Sequence, residues 1–246
     1  MSQHFPLSLQ TKKVLLYPRT LFMRWKFRKC VPSLRAMLEL HSYSPAMLGF
    51  LDATIENPGI LHDADIDGDS IVLDVGAFTG KWTQAIVDRY DPVIYAFEPN
   101  PNSFTVLQEQ SVKNSKLKPF QFGLGGRDET VEFTLKGLGS SMCDDRSSSR
   151  DADRVSVRIA AVQSAWKELD LSRADLMKIN IEGAEFPLLE HMIDTDMLDL
   201  VDTYLIQFHD WHPNARQRRL AIQQALSVTH RQVWNYEFVW EKWVRK

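Results

Sequence analysis

Asp74 stands inside an otherwise apolar segment whose carboxyl end is suited to binding a ligand. The segment, Ile71–Val75, is followed by Gly76 and Gly80 in the spacing G-x-x-x-G. A short apolar run bounded by glycine is typical of a parallel strand that is buried on both faces. Because the carboxyl ends of such strands face the ligand crevice of an open α/β sheet, we expect Asp74 to be partly hydrated and to hydrogen-bond a ligand.

A second acid, Glu98, ends the next apolar segment, Val93–Phe97, at the spacing of a βαβ unit. A carboxylate at this position suits the hydroxyls of a ribose and repels a phosphate. Phe78 occupies the place where a dinucleotide-binding turn would have its second glycine. The two segments therefore predict a site for a nucleoside-type ligand without a pyrophosphate group.

The elements that would position these residues alternate between strand and helix patterns. This alternation predicts an α/β protein with a three-layer sandwich. Further strands are predicted at residues 118–124, 131–135, 155–160, 174–179 and 203–208, and final strands within residues 232–244. A long polar loop, residues 137–154, lies between two of them and is predicted to cover the substrate as a lid.

Residues 68–80, 96–101 and 175–185 together resemble the FkbM-type methyltransferases, which belong to the Rossmann-like class I enzymes that use S-adenosylmethionine. The third segment, Asp175–Glu185, is the one specific to the family. The resemblance implies a mostly parallel seven-stranded sheet. It also implies methyl transfer from S-adenosylmethionine, commonly to a hydroxyl of a carbohydrate, lipid or secondary metabolite.

Carried over by position, the resemblance assigns the parts of the cofactor to separate segments. Asp74, Gly76 and Gly80 would hold the methionine end, Glu98 would bind the ribose hydroxyls, and residues 121–124 would lie near the adenine. The full set of expected cofactor contacts is Asp74, Gly76, Ala77, Phe78, Gly80, Glu98, Pro99, Phe122, Gly123 and Leu124.

The reaction needs a base if the acceptor is a neutral hydroxyl, and His209 is the first candidate. It is predicted to end a strand at the ligand-facing edge, where an imidazole titrates near the working pH. Glu182 is the second candidate, and Asn180 stands where the family usually has Asp, which keeps hydrogen bonds but loses the charge. Purely structural roles stay open: a histidine hydrogen-bonded beside Trp211, and helix-start carboxylates at Glu182 and Glu185.

A divalent cation is an alternative occupant of the same region. Glu182, His209, Asp210 and His212 are chemically suitable ligands. Two histidines three residues apart fit many geometries, so we expect no bound metal.

Composition limits the choice of compartment and partner. The 246 residues suffice for a helical, basic amino-terminal extension at residues 1–60 and a methyltransferase domain at residues 61–246. No run reaches the roughly 18 apolar residues of a membrane span. The two cysteines, Cys30 and Cys143, are far apart, and no secretory leader is visible. These features predict a soluble cytoplasmic protein.

Charge is distributed unevenly along the chain. The segment 12–35 carries eight basic residues, no acid precedes Glu39, and the remainder has 21 basic against 32 acidic residues. The basic segment would dock an anionic membrane or a protein, or it would cap the catalytic domain with its basic face solvated. The acidic remainder argues against a nucleic-acid partner.

We therefore predict O-methylation of a hydroxyl on a glycan, glycolipid precursor or secondary metabolite. The alternative is a catalytically silent subunit that binds the cofactor and docks into a biosynthetic complex, which Asn180 favours. Transfer of a labelled methyl group would exclude that alternative. The oligomeric state stays open.

Overall fold

The computed structural model describes residues 43–134 and 154–246. The chain divides into two compact units, residues 1–56 and 57–246. In the first unit, the described residues include one helix, α1 (Pro45–Glu56). The basic segment 12–35 lies outside the described residues, as does the predicted lid at 137–154 except for its last residue, so both stay predictions.

The second unit is built on a seven-stranded sheet in the order β3-β2-β1-β7-β8-β10-β9. All neighbouring pairs are parallel except those made by β10, which runs antiparallel to both of its neighbours. This mostly parallel sheet confirms the predicted Rossmann-like α/β fold. The strands are β1 (Ile71–Val75), β2 (Val93–Phe97), β3 (Leu117–Phe120), β7 (Ala174–Ile179), β8 (Val201–Ile206), β9 (His230–Tyr236) and β10 (Trp240–Arg245).

A second, three-stranded sheet has the order β4-β6-β5. Its strands are β4 (Gly123–Gly125), β5 (Glu129–Thr134) and β6 (Arg154–Ala161), and β5 pairs antiparallel with β6. The single strand predicted for residues 118–124 is wrong. The chain leaves the main sheet after Phe120, and β4 pairs with β6 instead of β2.

Helices cover both faces of the main sheet and form three layers. Helices α2 (Lys81–Tyr90) and α3 (Pro101–Ser111) pack Ile86 and Leu107 on one face. The other face is covered by α4 (Val162–Glu168), α5 (Glu185–Asp194) and α6 (Ala215–Thr229). Among the described residues, none of the helices combines the length and the apolar character needed to cross a bilayer.

Strand β8 ends two residues earlier than predicted, at Ile206 instead of Phe208. Its pairing with β10 stops at Ile206, although the Gln207 amide still donates to the Ile179 carbonyl (2.9 Å). His209 therefore lies three residues beyond the strand, in the segment that leads towards α6.

His230 is a buried titratable group in the fold. Its Nε2 lies 2.8 Å from the Val201 carbonyl oxygen, and its Nδ1 lies 2.7 Å from Thr229 Oγ1. Burial lowers the pKa of His230, and the hydrogen bond to Val201 partly opposes this. The unfolded chain therefore binds the proton more tightly than the folded chain.

Stability should consequently depend on pH through His230. We expect the free energy of unfolding to decrease as pH falls below about 6.5, the ordinary pKa of histidine, because the folded state holds the neutral ring. Urea unfolding between about pH 5 and pH 8 measures this dependence. His230→Gln should flatten it, and equal slopes in the parent and the variant would contradict the assignment.

Candidate functional site

The carboxyl ends of β1, β2 and β7 lie side by side, and the chain turns sharply after β1. Gly76 has a φ of +80°, and its amide donates to the Phe97 carbonyl (3.0 Å). A Cβ at this position would lie 2.1 Å from the Asn180 carbonyl oxygen. Glycine is therefore required both by the backbone conformation and by the neighbouring strand end.

Asp74 is fully buried, so the expected partial hydration of its carboxylate is wrong. Its Oδ1 lies 2.9 Å from Lys178 Nζ, and its Oδ2 accepts a hydrogen bond from Thr83 Oγ1 (2.6 Å). The cause is strand register, because Asp74 and Lys178 are direct partners in the pairing of β1 with β7. Both carboxylate oxygens of Asp74 thus contact protein side chains, and one of them, Lys178, also contacts the turn.

Lys178 is the residue that sequence reasoning missed. It is 5% exposed, and besides pairing with Asp74 its Nζ donates to the Gly76 carbonyl (2.7 Å). The signal was available: Lys178 is a lone cation in a strand that is otherwise apolar after Asp175. A buried lysine needs a partner, and Asp74 is the acid on the neighbouring strand.

Glu98 lies at the end of β2 with only 6% of its surface exposed. Its Oε2 accepts from the Phe78 amide and its Oε1 from the Asn100 amide, both at 2.8 Å. Burial raises the pKa of Glu98, although the two backbone hydrogen bonds act to lower it. A carboxylate offers about four lone-pair sites, so roughly two remain for ligand hydroxyls.

The turn residues expected to touch the cofactor differ in what they face. Phe78 has a φ of +50° and is 36% exposed. Ala77 is buried, and its amide donates to the Phe97 carbonyl (3.1 Å). Gly80 faces α3, since a Cβ there would lie 2.3 Å from Gln110 Oε1. Of these three residues, Phe78 is the most exposed.

The segment expected near the adenine lies beside Glu98. Pro99 is close to Gly123, since a Cβ on this glycine would lie 3.5 Å from Pro99 Cγ. The side chains of Phe122 and Leu124 are buried in the core, and the Phe122 ring lies 5.5 Å from the Phe97 ring. Adenine contact by this segment stays a prediction, and the burial of the two side chains favours contact through the backbone.

Glu185, which follows β7, and His209, which follows β8, form a carboxylate–histidine pair. The ring Nδ1 of His209 lies 3.0 Å from Glu185 Oε1, and the same oxygen accepts from the His209 amide (2.8 Å). The other oxygen of Glu185 accepts from the Gly183 amide (2.7 Å). Glu185 is completely buried and His209 is 5% exposed. The carboxylate therefore fixes the position of the imidazole.

The opposite ring nitrogen of His209 faces the other candidate base. Its Nε2 lies 3.8 Å from Glu182 Oε2, and the Glu182 side chain is 44% exposed. Glu182 has a φ of +53° and Gly183 one of +99°. A non-glycine residue in this region carries backbone strain, which is frequent at functional sites. The structure thus brings together the two residues that the sequence singled out.

Asn180, the third candidate, lies next to the Gly76 turn. Its backbone amide donates to the Val75 carbonyl (3.0 Å). Its side-chain Oδ1 is buried and has no hydrogen-bond partner among the described residues. A buried acceptor without a donor is costly, so this oxygen is suited to receive a donor from a ligand.

The cluster considered for a divalent cation does not assemble. The His212 ring packs at 5.4 Å from the Phe186 ring, and its nitrogens contact Arg218. Within the part of the chain that the structure describes, no group of three or more His, Cys, Asp or Glu residues has the arrangement of a metal site.

Comparison with known sequences identifies the family of the chain. The family described as the Methyltransferase FkbM domain matches residues 74–236, from the buried acid of β1 to the end of β9. The chain belongs to the FkbM methyltransferase family. The resemblance seen in the sequence is thereby confirmed, and with it methyl transfer from S-adenosylmethionine.

The relatives found by comparison with individual proteins have low sequence identity to this chain. Methyltransferase 1 of Beauveria bassiana is 25% identical over 169 residues, which cover 60% of this chain and 68% of the relative. The hexuronic acid methyltransferase AglP of Haloferax volcanii is 22% identical over 146 residues, covering 59% of this chain and 58% of that protein. Among solved structures, Aeropyrum pernix fibrillarin with bound S-adenosyl-L-methionine is 10% identical, with a TM-score of 0.46 over 80% of this chain and 74% of that chain.

The residues of this FkbM site fit S-adenosylmethionine. Glu98 has lone pairs left for two ribose hydroxyls, beside the turn that its own carboxylate orders through Phe78. The unpartnered Oδ1 of Asn180 suits an ammonium donor at the methionine end. Both groups lie at the carboxyl edge of the sheet, where ligands of open α/β folds bind.

Cofactor affinity should depend on the charge of Glu98. We expect Glu98→Gln to weaken binding of S-adenosylhomocysteine by about 10–100-fold, because hydrogen bonds to a charged acceptor contribute about 1.5–3 kcal/mol. Burial raises the pKa of Glu98. As pH decreases, the affinity of the parent protein should therefore begin to fall at a higher pH than it would if the pKa of Glu98 were that of an ordinary glutamate. Calorimetric titration of parent and variant across pH measures both effects. If the affinities of the parent and of Glu98→Gln decline in parallel as pH falls, Glu98 does not bind the cofactor.

Proposed function

We propose that this FkbM protein is an O-methyltransferase in which His209 removes the proton of an acceptor hydroxyl. The observation that carries the proposal is the Glu185–His209 pair, whose ring nitrogen Nδ1 is held by a buried carboxylate. Ionised carboxylates only accept hydrogen bonds, so Nδ1 must carry the proton in this contact. In the neutral ring the lone pair is then on Nε2, which makes no hydrogen bond within the described residues.

Each residue has a defined part in this mechanism. S-adenosylmethionine, when bound, supplies a methyl group on a sulfonium centre. The proton of the acceptor hydroxyl would pass to Nε2 of His209 as the acceptor oxygen takes up that methyl group. Glu185 then faces a protonated imidazole and stabilises its positive charge, as a positioning residue. Glu182, 3.8 Å from Nε2, provides further negative charge on the acceptor side.

The acceptor class proposed is a hydroxyl on a glycan, a glycolipid precursor or a secondary metabolite. One relative is named as a hexuronic acid methyltransferase, which supports a sugar-type acceptor. A base held by a carboxylate is also better suited to a neutral hydroxyl than to a nucleophile that needs no deprotonation.

Incubation with methyl-labelled S-adenosylmethionine and a panel of hydroxyl acceptors tests the proposal. We expect label in the product as a methyl ether, identified by mass spectrometry after hydrolysis. Label transferred to nitrogen or carbon would show a different reaction. Cofactor binding without any transfer would favour the silent docking subunit.

A further inference from the structure

Trp211 is a large apolar side chain left open to solvent beside the proposed base. Trp211 is 54% exposed, and its ring centroid lies 4.4 Å from that of the His209 ring. Its Nε1 would be 3.6 Å from a Cβ on Gly183, so the indole also lies beside the turn that carries Glu182. The indole therefore borders the space into which Nε2 of His209 faces.

An exposed indole at this position offers a flat apolar surface to whatever approaches Nε2. Indoles bury a large apolar area on binding, and their faces pack well against C–H groups. A hydroxyl within hydrogen-bond reach of Nε2 would place the rest of the acceptor next to the Trp211 ring. The acceptor therefore needs both a hydroxyl and an apolar face.

The charge around this space is negative. Glu182 is 44% exposed and lies 3.8 Å from Nε2, and Asp210, next to Trp211 in the chain, is exposed. The cations of β7 and α6 are each paired with a carboxylate. These pairs are Lys178 with Asp74, Arg218 with Glu190, Arg219 with Glu241 and Arg216 with Glu237. An acceptor carboxylate near Nε2 would thus meet repulsion from Glu182, and no cation of β7 or α6 is left without a partner to offset it.

We infer that the acceptor is an uncharged hydroxyl compound that packs a C–H face on Trp211, and that Glu182, with Asp210, selects against anionic acceptors. The inference rests on the proposed function, because it takes Nε2 of His209 as the point that the hydroxyl must reach. A neutral pyranose has the required combination of hydroxyls and a C–H face. The inference separates this chain from a relative whose name specifies a hexuronic acid.

Matched pairs of methyl pyranosides and the corresponding methyl uronides, in the gluco, galacto and manno configurations, are the probes. Each is added to the full chain saturated with S-adenosylhomocysteine, and binding is followed by saturation-transfer NMR. We expect at least one neutral glycoside to bind about tenfold more tightly than its uronide, a preference of the size produced by one partly screened charge at close range. Binding of none of the glycosides, or tighter binding of the uronides, would overturn the inference.

Four variants, one of them a control, assign the preference to residues. Trp211→Ala should weaken the neutral glycoside about tenfold and Trp211→Phe much less, because a smaller aromatic face remains. Glu182→Gln should reduce the preference for the neutral member severalfold. Asp196→Asn removes the same charge from an exposed position just beyond the far end of α5 and should leave the preference unchanged. A preference that survives in Glu182→Gln would refute the electrostatic selection.

Failure of the inference and failure of the proposed function give different results. If label is transferred to oxygen but the Trp211 and Glu182 variants behave like the parent, the reaction stands and the acceptor surface is wrong. If the neutral glycoside binds as expected but no hydroxyl is labelled, the surface stands and the O-methyltransferase mechanism is wrong. Cofactor affinity and melting temperature of every variant must match the parent, so that misfolding is not mistaken for either result.

Discussion

His209→Asn should reduce kcat for methyl transfer by about 10²–10⁴-fold, the usual contribution of a positioned general base. The amide of asparagine can still donate a hydrogen bond to Glu185, so the buried carboxylate keeps a partner. It cannot accept a proton from the acceptor hydroxyl. We therefore expect the affinity for S-adenosylhomocysteine and the melting temperature to remain close to those of the parent.

His212→Asn is the matched control for this variant. His212 is three residues away and contacts Arg218 and the Phe186 ring, outside the pair of His209 with Glu185. It should retain nearly full kcat. Single-turnover rates with labelled cofactor separate the chemical step from product release. A His209→Asn enzyme as fast as the control would show that the proton goes elsewhere.

Asp74→Ala should lower the free energy of unfolding by about 3–5 kcal/mol, because it leaves the buried ammonium of Lys178 without its counter-ion. Both members of the pair are almost completely buried, so solvent cannot replace the lost partner. Thr83→Val, which removes only the hydroxyl donor to Asp74, should cost about 1 kcal/mol. Urea unfolding measures both changes.

The double variant Asp74→Leu with Lys178→Met shows whether the loss comes from the unpaired charge. Replacing a buried ion pair by apolar residues of similar size is often nearly neutral, so we expect most of the stability to return. Cofactor affinity should nevertheless be lower than in the parent, because the Lys178 ammonium that donates to the Gly76 carbonyl in the turn is lost. If the loss of stability in the double variant equals the sum of the losses in Asp74→Leu and Lys178→Met, the unpaired charge is not the reason for the loss.

The strands that surround the glycine turn after β1 were predictable because their own composition specifies them. β1 and β2 occupy the residues expected from their apolar runs, and β7 does so as well. Each is a central parallel strand, and burial on both faces requires a nearly continuous apolar run that stands out in the sequence. Glu98 at the end of β2 followed from the same reasoning.

The predictions that were wrong depended on which strands become neighbours. Apolar side chains alternate along residues 120–124 as in one strand, but the chain changes sheets between Phe120 and Gly123. The end of β8 depends likewise on where β10 stops pairing with it, at Ile206. Local composition does not encode a partner that lies tens of residues away.

By itself, the sequence determined the alternation of strands and helices, the glycine turn after β1, the acid at the end of β2 and the membership of the FkbM family. Only the tertiary structure decided that Asp74 is paired with Lys178, 104 residues away, and that Glu185 holds His209, 24 residues away. Apolar periodicity is a local property. Burial requires it, so it can be recognised in the sequence. A hydrogen bond between distant side chains exists only once strand register and helix packing have brought its two atoms within about 3 Å.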